Sequence, residues 1–187
     1  MDVDLIARAQ QGDQQAFASI ARSIAIRLRK MAYGVLRDMD LAEDAAQRAI
    51  VAIWRELPRL RDPHRFEAWA YRVLVRICYD ERRRVQKHAA TSLDGVAMLP
   101  SESDVSDDVH LRDQLERGFA RLSLEHRAVV VLHHQLGLPL DEVAEALDIP
   151  TGTAKSRLNR AMGQLRASLE ADLRHPSPVP VPNEAIR

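Results

Sequence analysis

Cysteine is nearly absent: Cys78 is the single one in 187 residues, so no disulfide can close within the chain and a reducing compartment is expected. No apolar run is long enough to cross a bilayer as a helix, and Met1-Asp2-Val3-Asp4 has the wrong chemistry for a signal peptide. A soluble, cytoplasmic protein with no stable membrane insertion is the expectation. Catalytic signatures are missing too. There is no HExxH segment, no cysteine set with metal-ligand spacing and no glycine-rich phosphate loop. An enzyme reading would have to start from His133-His134 or from carboxylates such as Asp141-Glu142. Adjacent histidines on a helix point ~100° apart, which suits surface or half-buried residues better than a metal site. The chain is therefore read as a non-enzyme with no catalytic residue, metal or cofactor. Nor is there a net charge: Lys+Arg and Asp+Glu stand at 27 each, so charge alone predicts no polyanion partner. The charges are segregated along the chain, and that is the informative quantity.

What the chain does have is helical periodicity almost throughout, with no convincing strand pattern and no internal repeat. Residues 3–10 form a short helix closed by Gly12, and Asp13 can cap the next. Ala16, Phe17, Ile20, Ala21, Ile24, Leu28, Met31, Ala32, Val35 and Leu36 then hold one apolar stripe over about six turns. A third helix is expected from Asp40, with Glu43 three residues on in a capping-box-like arrangement. Its inward residues are Ala46, Ala49, Ile50, Ile53, Trp54 and Leu57, and its other face carries Glu43, Asp44, Gln47 and Arg48. From periodicity alone that polar face is simply solvated.

Pro58 and Pro63 bracket a loop that leads through His64-Arg65 into a fourth helix. Aromatics are only 4% of the chain, yet Phe66, Trp69 and Tyr71 fall within six residues and sit beside Arg72, Arg76, Arg82, Arg83 and Arg84. Rings that stack on bases and guanidiniums that follow phosphates suit single-stranded nucleic acid. Trp69 could equally belong to the core. Periodicity stops from Val85, and Thr91–Asp108 holds five acidic residues and no Lys or Arg, as a flexible linker would. Leu111, Leu115, Phe119 and Leu122 restart a helix, and Ser123 caps another that runs to Leu136 before Gly137. Four prolines after His175 predict an extended, disordered tail.

The stretch 139–168 is the most specific. Leu140, Val143, Ala144 and Leu147 make one helical face, and Asp148-Ile149-Pro150-Thr151-Gly152 breaks it with turn-forming residues. A second helix follows, with Ala154, Leu158, Ala161 and Leu165 inward. Thr153, Ser156, Asn159 and Arg160 lie opposite, flanked by Lys155 and Arg157. No Asp or Glu occurs from Ile149 to Leu169. Polar and cationic donors at the start of such a helix are what entry into a DNA major groove requires. The fold expected is all-α: two small helical domains joined by a flexible acidic linker, the second a helix-turn-helix domain.

Taken in order, GDQQAFASI, DLAEDAAQRAIVAIWREL, FEAWAYRVLVRICYDERRR and LPLDEVAEALDIPTGTAKSRLNRAMGQLR resemble a bacterial sigma factor of the extracytoplasmic-function (ECF) class, within the sigma-70 family. The likeness spans residues 3–170. It implies that 1–86 is sigma region 2, 87–107 the linker, 108–173 sigma region 4, and 174–187 the proline-rich tail. Partners so implied are the beta and beta-prime subunits of RNA polymerase core, promoter DNA, and an anti-sigma factor.

Carried over residue by residue, the resemblance makes Asp44, Gln47 and Arg48 the polymerase-binding positions. Arg61, His64, Trp69, Tyr71, Arg72, Arg76 and Arg83 fall to melting of the minus-ten element, with the 59–65 loop receiving a flipped base. Thr153, Lys155, Ser156, Arg157, Asn159 and Arg160 would read the minus-thirty-five element. One departure stands out: four residues before Asp80 the family commonly has Asn, and this chain has Arg76. An arginine cannot offer the amide's paired donor and acceptor. The competing reading, a regulator that binds operator DNA without polymerase, would leave the motifs of 41–84 without a role.

Overall fold

The computed structural model of the chain describes residues 1–91 and 107–174, and every regular element among them is helical. Most of the expected acidic linker and the proline-rich tail fall outside these residues. Helix α1 (Val3–Gln10) is capped by Asp2, whose carboxylate accepts from the Asp4 amide at 3.0 Å. Gly12 then turns the chain at φ +93, a conformation that costs glycine little. Asp13 caps α2 (Gln14–Leu36) by accepting from the amides of Gln15 and Ala16 at 2.9 and 3.0 Å.

The stripe expected of α2 is buried as a continuous row through Ile20, Ile24, Leu28, Met31 and Val35. Its end is marked by Arg37 in the left-handed region, φ 59, with its amide on the Tyr33 carbonyl at 2.8 Å. Helix α3 (Met39–Glu56) starts earlier than its sequence pattern indicates. The cap is Asp38, not Asp40, because Asp38 has the extended backbone that aims its carboxylate at the Leu41 amide, 2.9 Å away. Glu43 consequently does not reach back to a cap. It meets Gln47 and Arg29 instead.

Two short 3₁₀ turns, Leu57–Arg59 and Pro63–Arg65, carry the loop into α4 (Phe66–Thr91). Gln10 ties this loop to α1 by donating to the carbonyls of Leu57 and Leu60 at 3.1 and 2.7 Å. The helix was expected to stop near Val85 but continues to Thr91. Nothing in Val85-Gln86-Lys87-His88-Ala89-Ala90 breaks it, and Gln, Lys and Ala are good helix formers.

After the linker come α5 (Asp107–Arg121) and α6 (Leu124–Val130), the latter capped by Ser123. A π-helical turn over Val131–Gln135 extends α6 before Gly137, at φ +71, reverses the chain. Helix α7 (Leu140–Leu147) ends on Asp148 in the left-handed region, φ 53. Helix α8 (Thr151–Arg174) starts at once, so Gly152 belongs to its first turn and not to the connection. Ala154, Leu158, Ala161 and Leu165 are buried as the pattern requires. Leu115 departs from it: at 38% exposure it lines an open groove with Met162 and Leu169 between α5 and α8.

Helices α1–α4 form one group and α5–α8 another. The groups are not held apart, since α2 meets α6 and the π turn, and α4 meets α7. Their apolar side chains join a single buried cluster.

Candidate nucleic-acid interface

On α3, Asp44, Gln47 and Arg48 are all exposed. They lie at i, i+3 and i+4, so one helical face presents them together. Val51, one turn further, continues that face and is 49% exposed. An uncovered valine beside polar groups matches the usual anatomy of a docking surface, in which apolar contact adds to polar registration. Arg48 is held from below: its guanidinium pairs with Glu81 of α4, a carboxylate only 1% exposed.

Helix α4 separates the melting candidates by azimuth. Trp69, Arg72, Arg76 and Arg83 fall within a stripe about 60° wide at ~100° per residue. The three arginines are exposed, and Trp69 is half-buried with its ring 6.0 Å from that of Phe66. Tyr71 turns away from this stripe. It is 4% exposed and packed in the core, where burial raises its phenol pKa, so it cannot show a ring face to a base. Its assignment to the single-strand surface is corrected on that ground. Arg61 and His64 are exposed on the loop, whose turn is shaped by Asp62 accepting from the His64 amide at 2.9 Å.

Carboxylates already occupy several of these cations. Glu56 of α3 pairs with Arg76 at 2.7 Å, and Asp80 lies 4.0 Å from Arg83. Glu145 of α7 reaches both Arg65, at 3.0 Å, and Arg72, at 3.1 Å. At position 76 the guanidinium is thus drawn toward α3.

The helix-turn-helix is α7, the Asp148–Pro150 turn and α8. Lys155, Asn159 and Arg160 are exposed on α8, and no ion pair among the described residues engages Lys155 or Arg160. Thr153 and Ser156 are half-buried, and the Ser156 hydroxyl donates to the Thr153 carbonyl at 3.0 Å. Arg157 is half-buried as well and lies among charged neighbours: its field acts on Glu125 of α6 and on Tyr79 of α4.

Several residues that shape these surfaces escaped sequence reasoning. Glu81 follows Leu74, Ile77 and Cys78 at i+7, i+4 and i+3, so it occupies the next inward position of an apolar stripe. A carboxylate there was the available signal. Arg127 gives a similar one, lying three residues after Leu124 on α6. It is 6% exposed, and its Nε has no hydrogen-bond partner. Cys78 is inert packing, its thiol pushed up to about 12 by burial. Gly34 offered a weak signal as a poor helix former inside the apolar stripe of α2, while Glu145 offered none.

Residues 20–88 match the family model described as Sigma-70 region 2, and 112–165 match Sigma-70, region 4. The ECF RNA polymerase sigma factor SigM of Mycobacterium tuberculosis is 30% identical over 164 residues, covering 88% of this chain and 82% of the relative. ECF RNA polymerase sigma factor SigW of Bacillus subtilis is 28% identical over 180 residues, with 88% and 94% covered. Among solved structures, CnrH in complex with the cytosolic domain of CnrY superposes with a TM-score of 0.66 at 26% identity, covering 91% of this chain and 98% of that one. The sigma factor RpoE, bound to the anti-sigma factor NepR from Bartonella quintana, shares the fold with a TM-score of 0.68 at 22% identity, covering 83% and 98%.

Proposed function

Because this chain belongs to the ECF sigma factors of the sigma-70 family, we propose that its exposed α3, α4 and α8 faces divide the work of promoter recognition among them. As a sigma factor it binds RNA polymerase core and directs promoter-specific initiation; sigma factors are generally regulatory proteins without catalysis of their own. Asp44 and Gln47 dock α3 on the polymerase, with Arg48 set at the edge of that surface and Val51 adding apolar contact. Trp69 and the Arg72–Arg76–Arg83 stripe hold the opened strand of the minus-ten element, and Arg61 and His64 line the loop that takes a flipped base. Capturing an extruded base offsets the few kcal/mol lost in unpairing it. Melting in this way needs no nucleotide hydrolysis.

Lys155, Asn159 and Arg160 read the minus-thirty-five element from α8, with Thr153 and Ser156 at the start of the helix. The observation that carries this reading is the bare cationic face of α8 behind a tight turn, on a chain that also has the α3–α4 unit an operator-binding regulator would not need. A role at the chromosome supports a cytoplasmic location; no helix among the described residues is long and apolar enough to cross a membrane. Two solved relatives are complexes with an anti-sigma factor or a cytosolic domain of another protein, which supports an anti-sigma partner here too. Run-off transcription with purified core polymerase on genomic fragments tests the whole reading. Discrete transcripts that need both proteins are expected, and failure to retain core polymerase in a pull-down would reject it.

A further inference from the structure

We propose that Arg37 of α2, Arg82 of α4 and Arg127 of α6 form an anion site, and that its ligand is a single phosphate group, free or carried by a small phosphorylated molecule.

Facing helices bring these cations together. A Cβ built on Gly34 of α2 would come 2.8 Å from Cγ2 of Val131. Arg37 lies three residues beyond Gly34 and Arg127 four before Val131, so each leaves the adjacent turn on the contacting side of its helix. Arg82 reaches the same place from α4, since its charge and that of Arg37 both act on Arg127. Desolvation first, then Arg82 and Arg37, pull the Arg127 pKa down to about 10, which leaves it a cation at neutral pH. The acid that acts on Arg127, Glu125, has the smallest of these effects.

The surroundings leave this charge uncompensated. Arg127 is 6% exposed, its Nε is a buried donor without a partner, and no ion pair among the described residues engages it. Arg82 is half-buried and enters no such pair either. Arg37 pairs with Glu116 of α5 and stacks 4.7 Å over the Tyr33 ring, yet its Nε is buried without a partner as well. Tyr79, one turn before Arg82 on α4, adds a buried hydroxyl in the same condition. A buried donor left unpaired is unfavourable, and a buried cation more so.

The chemistry of the ligand follows from what is unmet. Every one of these groups can donate a hydrogen bond, which suits an anion and repels a metal ion. Glu116 balances one of the three positive charges and leaves two. A phosphate group carries about −1.5 to −2 at neutral pH, with several oxygens that guanidiniums can share. Burial sets the size. A nucleic-acid backbone cannot reach an arginine that is 6% exposed, whereas a lone phosphate group can.

The full chain in phosphate-free buffer tests this by titration with inorganic phosphate and, separately, with ribose 5-phosphate, against chloride at equal ionic strength. Calorimetry should show one saturable site, and the melting temperature should rise by about 2–4 °C with ligand in excess of its Kd. Equal affinity for the two probes identifies the free ion as ligand, and tighter binding of ribose 5-phosphate identifies an organic phosphate. Arg82→Gln should weaken binding about tenfold or more, as loss of a charged hydrogen bond does. Arg127→Met should abolish it while raising the melting temperature of the unliganded protein, because a buried, unpaired cation is gone. Arg55→Gln, on the exposed side of α3, should bind as the native chain does. Should Arg127→Met fail to fold, Arg82→Gln keeps the binding readout. A single-stranded DNA oligonucleotide should not displace the phosphate. The site is overturned if neither probe binds saturably, if the folded arginine variants bind as tightly as the native chain, or if the oligonucleotide takes the phosphate's place.

Discussion

Arg48 on the exposed face of α3 is anchored by Glu81, a carboxylate of α4 that is 1% exposed and takes a second pair from Arg84 at 3.0 Å. The exposed face of α3 and helix α4 thus share a buried charge. Arg48→Ala leaves that carboxylate with Arg84 alone and should destabilise the protein by about 1–3 kcal/mol. Arg55→Ala, at an exposed position on the same helix, should stay within about 0.5 kcal/mol. Adding Glu81→Gln to Arg48→Ala should cost less than the sum of the single changes, because the stranded charge is gone. Urea denaturation of the native protein, Arg48→Ala, Glu81→Gln, the double variant and Arg55→Ala checks this, and additive losses in the double variant would refute the coupling.

Asp44→Arg should weaken binding to core polymerase without changing helical content. Asp44 is exposed and anchors no ion pair among the described residues, so the swap should move stability by no more than about 0.5 kcal/mol. A folded mutant with native affinity would remove Asp44 from the docking surface.

Position 71 and position 72 should behave in opposite ways despite being neighbours. Arg72→Ala should reduce promoter opening by the holoenzyme, measured by permanganate reactivity, with little change in melting temperature. Tyr71→Ala removes a core ring and should cost about 3–5 kcal/mol, as large aromatic truncations do. Tyr71→Phe keeps the ring and should open promoters normally. Trp69→Ala falls between them, since its half-buried ring serves both the core and the surface. Normal opening by Arg72→Ala would end its assignment.

Acid should weaken the junction of α1 and α2 through Asp13. Its pKa is lowered by the Ala16 amide first and then by Arg8, whose Nη2 lies 2.6 Å away. The folded state therefore holds the proton more weakly than the unfolded chain, for which 3.8 is the ordinary value. The contribution is complete above 3.8 and disappears as pH falls through the lower folded-state value. Asp13→Asn should accordingly differ from the native protein at neutral pH and converge on it in acid. Thermal melts from neutral to strongly acidic pH follow this directly, and a gap that persists unchanged in acid would contradict it.

Arg160→Ala should relax preference at one position of the upstream element, at a cost of about 1–3 kcal/mol if it makes a bidentate base contact. Arg157→Ala should lower occupancy of all sequences alike and reduce the salt slope by about one, as loss of a phosphate contact does. Holoenzyme binding to a library randomised at that element, at two salt concentrations, separates the two. Uniform weakening by Arg160→Ala would reject base reading.

Most of the helices were legible because their causes are local. Asp13, Ser123 and the glycines at 12 and 137 act on amides and dihedrals within a turn of themselves. The apolar stripes of α2 and α8 follow from a period that three or four residues already express. The α8 face was legible on the same terms, since an unbroken absence of acid over 149–169 shows in the sequence as plainly as in space. The cap of α3 was missed because Asp38 and Asp40 are chemically equal. Only the backbone at Asp38 decides between them.

The sequence by itself determined that this chain is helical, where its helices bear polar or cationic faces, and which family they resemble. Tertiary structure alone decided what covers each face. Tyr71 and Arg72 are adjacent and both fit a nucleic-acid surface by composition, yet one packs into the core and the other stays exposed. Glu145 meets Arg65 across 80 positions of chain, and Gly34 admits Val131 across nearly a hundred. Periodicity constrains the direction in which a side chain leaves its own helix. It carries no term for the neighbour found there, which depends on how separate helices dock.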